Sequence, residues 1–303
     1  MSTKREKRKR TKTSSFGSSG RANHDSSEFY GSKLYSEIEI PKKVKFIQNE
    51  IASGNLDKIY CKSSEKMEEI PDNSVHLMVT SPPYNVKKEY DEDLTLMEYM
   101  DLLRNVFQET YNKLVTGGRV CINIANVGRK PYVPLHAHII DIMLNIGFLM
   151  RGEIIWDKSA SAGSSCAWGS WKSASNPVLR DVHEYILVFS KDSFSRKKNK
   201  SNINTIERDE FLEWTKSTWS FPTVSAKKIG HPAPFPVELP YRLIQLYTFK
   251  DDVILDPFCG SGSTCIAAIK SNRHYIGYDI KEEYVKLSKD RISSYKDRLM
   301  DEN

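Results

Sequence analysis

The chain has 303 residues, 39% of them apolar and 28% charged, enough to bury one large α/β core with an insertion or two modest domains. No apolar run approaches the roughly 18 residues of a membrane span, and the N-terminus is charged from Lys4 onward with no apolar core behind it. That pattern excludes a membrane-spanning or leader-like reading and makes the cytoplasm the expected compartment. The net charge of +6 is uneven, because residues 1–30 hold eight Lys/Arg against three Asp/Glu. The tail KREKRKRTK and the Ser/Gly-rich stretch after it are expected to form a basic arm, residues 1–28, that does not fold alone. Such an arm either touches a phosphate backbone or is a solvated or targeting tail, and charge does not separate these.

Folded sequence is expected from Phe29, and an alternation of short apolar strands and amphipathic helices follows. VHLMVT (75–80) reads as a buried strand ending at Ser-Pro-Pro. Leu96, Tyr99, Met100, Leu103, Val106, Phe107 and Leu114 have helical spacing, so 94–114 is a helix closed by Gly117-Gly118. Strand 119–125, helix 136–146 with Gly147 as its stop, and strands 148–156 and 183–190 come next. Periodicity fails over 157–182 and again over 191–230. It resumes with a helix from Pro236, strand 253–258, helix 263–271, strand 274–280 and a last helix over 282–295. This alternation predicts a mostly parallel sheet covered on both faces. The five cysteines, Cys61, Cys121, Cys166, Cys259 and Cys265, form no CxxC pair, so no zinc site or disulfide framework is indicated and no metal is expected.

Two constellations carry chemistry. In VILDPFCGSGST a strand ends in Asp256, a turn contains Gly260 and Gly262, and a helix starts at Ser263-Thr264. At the carboxyl end of a parallel strand this is where α/β sheets take ligands. Asp279 closes the next strand and can accept hydrogen bonds from ribose hydroxyls. Together they indicate a nucleoside cofactor without choosing between NAD and S-adenosylmethionine. In TSPPYN (80–85), two prolines stiffen the turn and leave the Ser81 and Pro82 carbonyls free, while Tyr84 offers a flat face to a base. The same residues also suit a rigid loop with a packed tyrosine.

TSPPYN resembles motif IV of the amino-group DNA methyltransferases, DPFCGSGST resembles their cofactor motif I, and HPAPFPVELPYRLIQLYTFKDDVILDPFCGSGSTCIAAIKSNRHYIGYDIKEEYV resembles their C-terminal signature. The catalytic motif precedes the cofactor motif, as in the circularly permuted beta group. The resemblance implies a Rossmann-like methyltransferase fold, a mostly parallel seven-stranded sheet with one antiparallel strand. It implies a catalytic half over 29–156, a target-recognition region over 157–230 containing one core strand near 183–190, and a cofactor half over 231–303. It implies S-adenosylmethionine held by Asp256, Phe258, Gly260, Gly262, Ser263, Thr264 and Asp279, with Pro234, Phe235 and Pro236 lining the methionine end. Where the family often carries Asp near the adenine ring this chain has Lys62, and Ser63 is the expected substitute. Catalysis is expected from Ser81, Pro82, Pro83 and Tyr84.

None of the cysteines follows a proline, which disfavours C5-cytosine chemistry by a thiolate. Ser at position 81 points to cytosine N4, in the family's usage, with adenine N6 as the alternative on the same scaffold. A catalytically silent DNA-binding protein is the alternative of another class. The expected partner is duplex DNA with a short recognition sequence, in a restriction-modification setting, and the protein is a monomer or a homodimer. Trp168, Trp171, Lys172, Asn176, Arg180, Arg196, Lys197, Lys198 and Lys200 are the candidate DNA contacts, each of which also suits a solvated loop or a packed indole.

Overall fold

Strands that are apolar on both faces must lie inside a sheet covered by helices on each side. A computed structural model describes residues 30–36, 44–84, 94–159, 169–230 and 234–301, together with the backbone of 11–12 and 24–25. Two compact units are present, Met1–Lys42 and Lys43–Asn303. In the first, Thr11–Lys12 pairs in parallel with His24–Asp25, and the ring of Tyr30 meets that of Tyr35 edge-on. The rest of the expected arm lies outside the described residues.

In the second unit eight strands form one sheet: β1 (Lys58–Cys61), β2 (Val75–Thr80), β3 (Leu114–Ile124), β4 (Leu149–Asp157), β5 (His183–Ser190), β6 (Thr218–Ser220), β7 (Val253–Asp256) and β8 (His274–Asp279). Their order across the sheet is β6-β4-β5-β3-β2-β7-β8-β1. Only β5 runs antiparallel, to β3 on one side and β4 on the other. The expectation of one antiparallel strand holds, but the count is eight and not seven. The addition is β6, a three-residue edge strand in register with β4, Trp219 opposite Trp156. Three residues are too few to show an alternation. The segment is pinned by Trp219, which is buried and donates its indole N–H to the Trp214 carbonyl at 3.1 Å.

Helices α1 (Leu96–Lys113) and α2 (Leu135–Ile146) cover one face, burying Leu103, Val106, Phe107, Ile139 and Met143 against Met78, Val120 and Ile122. A capping box starts α1: Thr95 accepts from the Glu98 backbone, and Glu98 accepts from that of Thr95. On the other face lie α4 (Glu238–Tyr247), α5 (Ser263–Lys270) and α6 (Glu282–Asp301), which bury Leu239, Leu243, Ile266 and Ile292 against Leu77, Val79 and Ile254. A short helix, α3 (Arg208–Trp214), precedes β6. The stretch 191–230 is therefore not irregular throughout.

The first helix also ends earlier than its apolar spacing predicts. Leu114 is already extended and pairs with Val75, and the β2–β3 register slips between Val75 and Leu77. The glycine pair lies within β3. Gly117 has φ +78°, and a Cβ there would sit 2.4 Å from the Ser195 carbonyl. Its hydrogen is needed because the chain leaving β5 crosses over it. That crossing segment is tied down by the Arg119 guanidinium, which donates to the Phe194 carbonyl, and by the ion pair of Arg196 with Asp252.

Arg196 and Asp252 are nearly buried, and the neighbouring His76 is neutral, since burial pushes it down to about 4 and its Nδ1 accepts from the Val253 N–H. Removing one partner of a buried pair strands the other charge. Arg196→Ala is expected to cost about 3 kcal/mol in urea unfolding. A loss below about 0.5 kcal/mol would mean that the pair behaves as a surface one.

Candidate active site

Parallel strands deliver all their carboxyl ends to one edge of the sheet, and the residues singled out by sequence converge there. Thr80 ends β2 and leads into Ser81-Pro82-Pro83-Tyr84. Asp256 ends the adjacent β7, and Asp279 ends β8 beside it. The two turns are joined directly: the Thr80 hydroxyl donates to Asp256 Oδ1 at 2.6 Å, deep in the protein. The Phe258 N–H donates to the same oxygen at 3.2 Å. Asp256 Oδ2 is buried without a hydrogen-bond partner. Burial pushes the carboxyl up to about 6, and the Thr80 and Thr264 hydroxyls and the Phe258 N–H offset this only in part.

The glycine turn folds back onto Asp279, whose carboxylate accepts from the Gly260 N–H at 2.8 Å and the Lys281 N–H at 2.9 Å. Burial raises the carboxyl of Asp279 as well, against the pull of those two donors. Gly262, with φ +76°, lies where a Cβ would come within 2.9 Å of Ser288 Cβ, so this glycine serves the contact with α6. Ser263 donates to the Phe235 carbonyl at 3.0 Å, which ties the Pro234-Phe235-Pro236 segment to the start of α5. The Thr264 hydroxyl faces the Val79 carbonyl at 3.4 Å, back toward β2. A half-buried acceptor at the tip of β8 and an unsatisfied buried oxygen at the tip of β7 fit a ligand with hydroxyl donors and a cationic group.

Ser63 is not drawn into this cluster. It is exposed and its hydroxyl bonds Glu65, because the next residue takes the inward position: Ser64 is buried and donates to the Pro257 carbonyl at 2.9 Å. Lys62 pairs with Glu69 at 2.9 Å.

On the other side of the SPPY turn, the Tyr84 hydroxyl lies 3.5 Å from Ser81 Oγ and 3.4 Å from Glu184 Oε2. Burial first, and the Glu184 carboxylate second, push the phenol well above its ordinary value, so it stays protonated. Glu184 also accepts from Asn123 Nδ2 and from Lys158 Nζ, each at 2.5 Å. Glu184, Asn123, Lys158, Thr80 and Ser64 are not among the site residues to which the sequence points. Their importance follows from strand neighbours, which a linear pattern does not give.

A DNA methylase family model matches residues 75–290, the span from β2 to α6. The chain belongs to the N6/N4 DNA methylase family. It is 31% identical over 285 residues to the type II methyltransferase M.MjaI of Methanocaldococcus jannaschii, covering 80% of this chain and 93% of that one. It is 31% identical to M.MthZI of Methanothermobacter thermautotrophicus, covering 78% and 76% of the two chains. Among solved structures, TTHA0409 of Thermus thermophilus complexed with S-adenosyl-L-methionine has TM-score 0.64 at 28% identity, over 78% of this chain and 93% of that one. The cytosine-N4-specific PvuII DNA methyltransferase shares the fold, with TM-score 0.62 at 22% identity over 80% and 92%.

The strand topology of the methylase also sorts the candidate DNA contacts. Trp171, Lys172, Asn176 and Arg180 belong to the connection between the end of β4 and the start of β5, at the carboxyl edge. There Gly169 bridges Pro177, and Ser170 and Asn176 exchange hydrogen bonds, so Trp171, 68% exposed, stands on a closed tip beside Lys172. Trp168 lies outside the described residues. Arg196, Lys197, Lys198 and Lys200 are placed differently from expectation. Because β5 is antiparallel, its last residue, Ser190, pairs with the start of β3 and β4. The basic cluster therefore leaves the opposite edge, about 20 Å along the strands from the SPPY turn. Arg196 is committed to Asp252, and Arg196 and Lys198 lie over the Phe249 ring.

The raised carboxyl of Asp256 has a stability consequence. Its charge opposes folding above pH 6 and ceases to do so once both folded and unfolded forms are protonated, below about pH 4. Asp256→Asn is expected to stabilise the ligand-free methylase at pH 8 by roughly 2–3 kcal/mol, with the gain shrinking toward pH 4.5. Urea unfolding at both pH values measures it, and an unchanged stability at pH 8 would contradict the assignment.

Proposed function

We propose that this methylase transfers a methyl group from S-adenosylmethionine to N4 of cytosine in a short sequence of duplex DNA, as a beta-type enzyme of a restriction-modification system. The observation that carries the reading is Ser81. Its hydroxyl heads the SPPY turn, one residue after the bond that joins that turn to the cofactor turn. A hydroxyl both donates and accepts, which suits the amino edge of cytosine. The motif order agrees with the beta type, and one relative, 28% identical over 87% of this chain but only 31% of its own length, is named a type II beta methyltransferase, M.BslI.

The bound cofactor supplies an electrophilic methyl on a sulfonium. Asp279 holds the ribose hydroxyls, the Gly260–Gly262 backbone approaches the ligand closely, Phe258 packs beside it, and Pro234, Phe235 and Pro236 line the methionine end. Asp256 faces positive charge with its unsatisfied oxygen. The target base leaves the stack and rests against Tyr84. The two N–H bonds of the amino group find their acceptors among the Ser81 hydroxyl and the Ser81 and Pro82 carbonyls, turning the nitrogen lone pair toward the methyl for in-line displacement. The nitrogen–carbon bond forms as the carbon–sulfur bond breaks, the thioether leaves, and the surplus proton passes through an acceptor to water. Pro82 and Pro83 keep those acceptors in place before the base arrives. Rate enhancement comes from positioning and preorganised dipoles. Trp171, Lys172, Asn176 and Arg180 meet the duplex at the carboxyl edge, and the basic arm adds phosphate contacts.

Nucleosides from duplex DNA incubated with the chain and methyl-labelled cofactor are expected to include N4-methylcytosine by mass spectrometry. N6-methyladenine instead would overturn the base assignment, and no labelled base would overturn DNA as substrate. Ser81→Ala and Tyr84→Ala are expected to lower methyl transfer by at least about a hundredfold while cofactor binding persists. Near-normal rates would remove the SPPY turn from the mechanism. Deleting residues 1–28 should leave turnover at low salt intact and flatten the dependence of DNA affinity on salt. An unchanged slope would detach the arm from DNA.

A further inference from the structure

The chemistry above leaves Glu184 without a role, although its placement is costly. Lys158 and Glu184 are 22% and 13% exposed at the carboxyl edge, and a charge pair this far from water seldom improves stability over apolar packing. Both carboxylate oxygens are occupied. Oε1 takes the ammonium of Lys158, the residue that follows β4, and Oε2 takes the Asn123 amide from β3 and the Tyr84 hydroxyl from the catalytic turn. Lys158 is itself anchored, since its N–H donates to the Val182 carbonyl at 2.7 Å. Three strands thus converge on one carboxylate, and the group it presents to the site is the acceptor for a phenol. The Tyr84 ring already packs on the apolar core and its hydroxyl lies 3.5 Å from Ser81 Oγ, so the carboxylate acts on the ring tilt that those contacts leave open. With it, the ring plane is set before the base arrives.

We propose that Glu184 is a positioning residue for methyl transfer: locked by Lys158 and Asn123, it orients Tyr84 and so the surface on which the extruded base rests. The proposal depends on the SPPY turn being the base site. It does not depend on which base is methylated.

A double-mutant cycle on the full chain tests it, read as methyl transfer to duplex DNA carrying the sequence that the wild type modifies. Tyr84→Phe keeps the ring and loses the hydroxyl. In Glu184→Gln the amide turns its oxygen to Lys158 and its NH2 to Tyr84 and to an Asn123 amide that flips to present its Oδ1, which reverses the bond to the phenol. Each change is expected to lower kcat about tenfold, with KM for DNA and cofactor affinity within about twofold of wild type, and the double variant should be no slower than the worse single one. Lys158→Met, which removes the cation from Glu184 Oε1, should give a smaller fall in kcat of the same kind. Multiplying effects, about a hundredfold in the double variant, would show that Glu184 acts independently of Tyr84 and would overturn the proposal. So would an unchanged kcat in Glu184→Gln, or a fall in melting temperature and cofactor affinity with kcat preserved. A wrong base assignment would appear in the identity of the methylated nucleoside and would leave the cycle as predicted.

Discussion

The Thr80–Asp256 hydrogen bond is the joint on which the active edge depends. It spans 176 residues of sequence and 2.6 Å of space, linking the last residue before the catalytic turn to the last residue before the cofactor turn. Adjacent parallel strands bring the two turns near each other, but pairing between β2 and β7 is recorded only at Leu77–Met78 against Ile254–Leu255. At the strand ends a side-chain bond in a dry site adds to that pairing. Such a bond is electrostatically stronger than one in water, and it tolerates no unpaired partner. It sets one turn against the other to within an ångström or so, the scale on which a transfer between two bound ligands is decided.

The two edges of the sheet handle charge differently. At the amino edge the buried ions are matched within the fold: Arg196 meets Asp252, and Lys191 donates to Asn73 and the Leu114 carbonyl. At the carboxyl edge Lys158 and Glu184 are matched as well, but two carboxyls, Asp256 and Asp279, are held above their ordinary range by burial, and one Asp256 oxygen is left unsatisfied. Strain of that kind is stable only if the rest of the core supports it. Here the support comes from two apolar layers, one under α1 and α2 and one under α4, α5 and α6. Perturbed carboxyls concentrated on one edge are what a binding site for a polar, partly cationic ligand requires.

Much of this was legible in the sequence, for identifiable reasons. VHLMVT and HEYILVFS are strands with the bounds their apolar runs indicate, since each is short, buried and ended by a turn. Asp256, Gly260 and Asp279 meet as expected because the motif carries its own turn geometry. The misreadings share one cause, which is that neighbours in space are not neighbours in sequence. Leu114 has helical spacing yet pairs with Val75, and Gly117 answers to a chain crossing from residue 195. Arg196, a candidate DNA contact in the sequence, lies at the far edge because β5 is antiparallel, and there it pairs with Asp252. Glu184 is an ordinary residue of a strand in the sequence, and only the fold brings Asn123, Lys158 and Tyr84 around it.

The joint itself is the most direct thing to measure. Thr80→Val keeps the branched shape and removes only the hydroxyl that Asp256 accepts. If the bond holds the cofactor turn against the catalytic turn, steady-state kinetics of this variant will show kcat for DNA methylation reduced by about tenfold or more, with the methylated base unchanged and the melting temperature lower by only a few degrees for the lost buried donor. A kcat equal to that of the wild type would contradict the account, because the two turns would then be placed by the sheet alone.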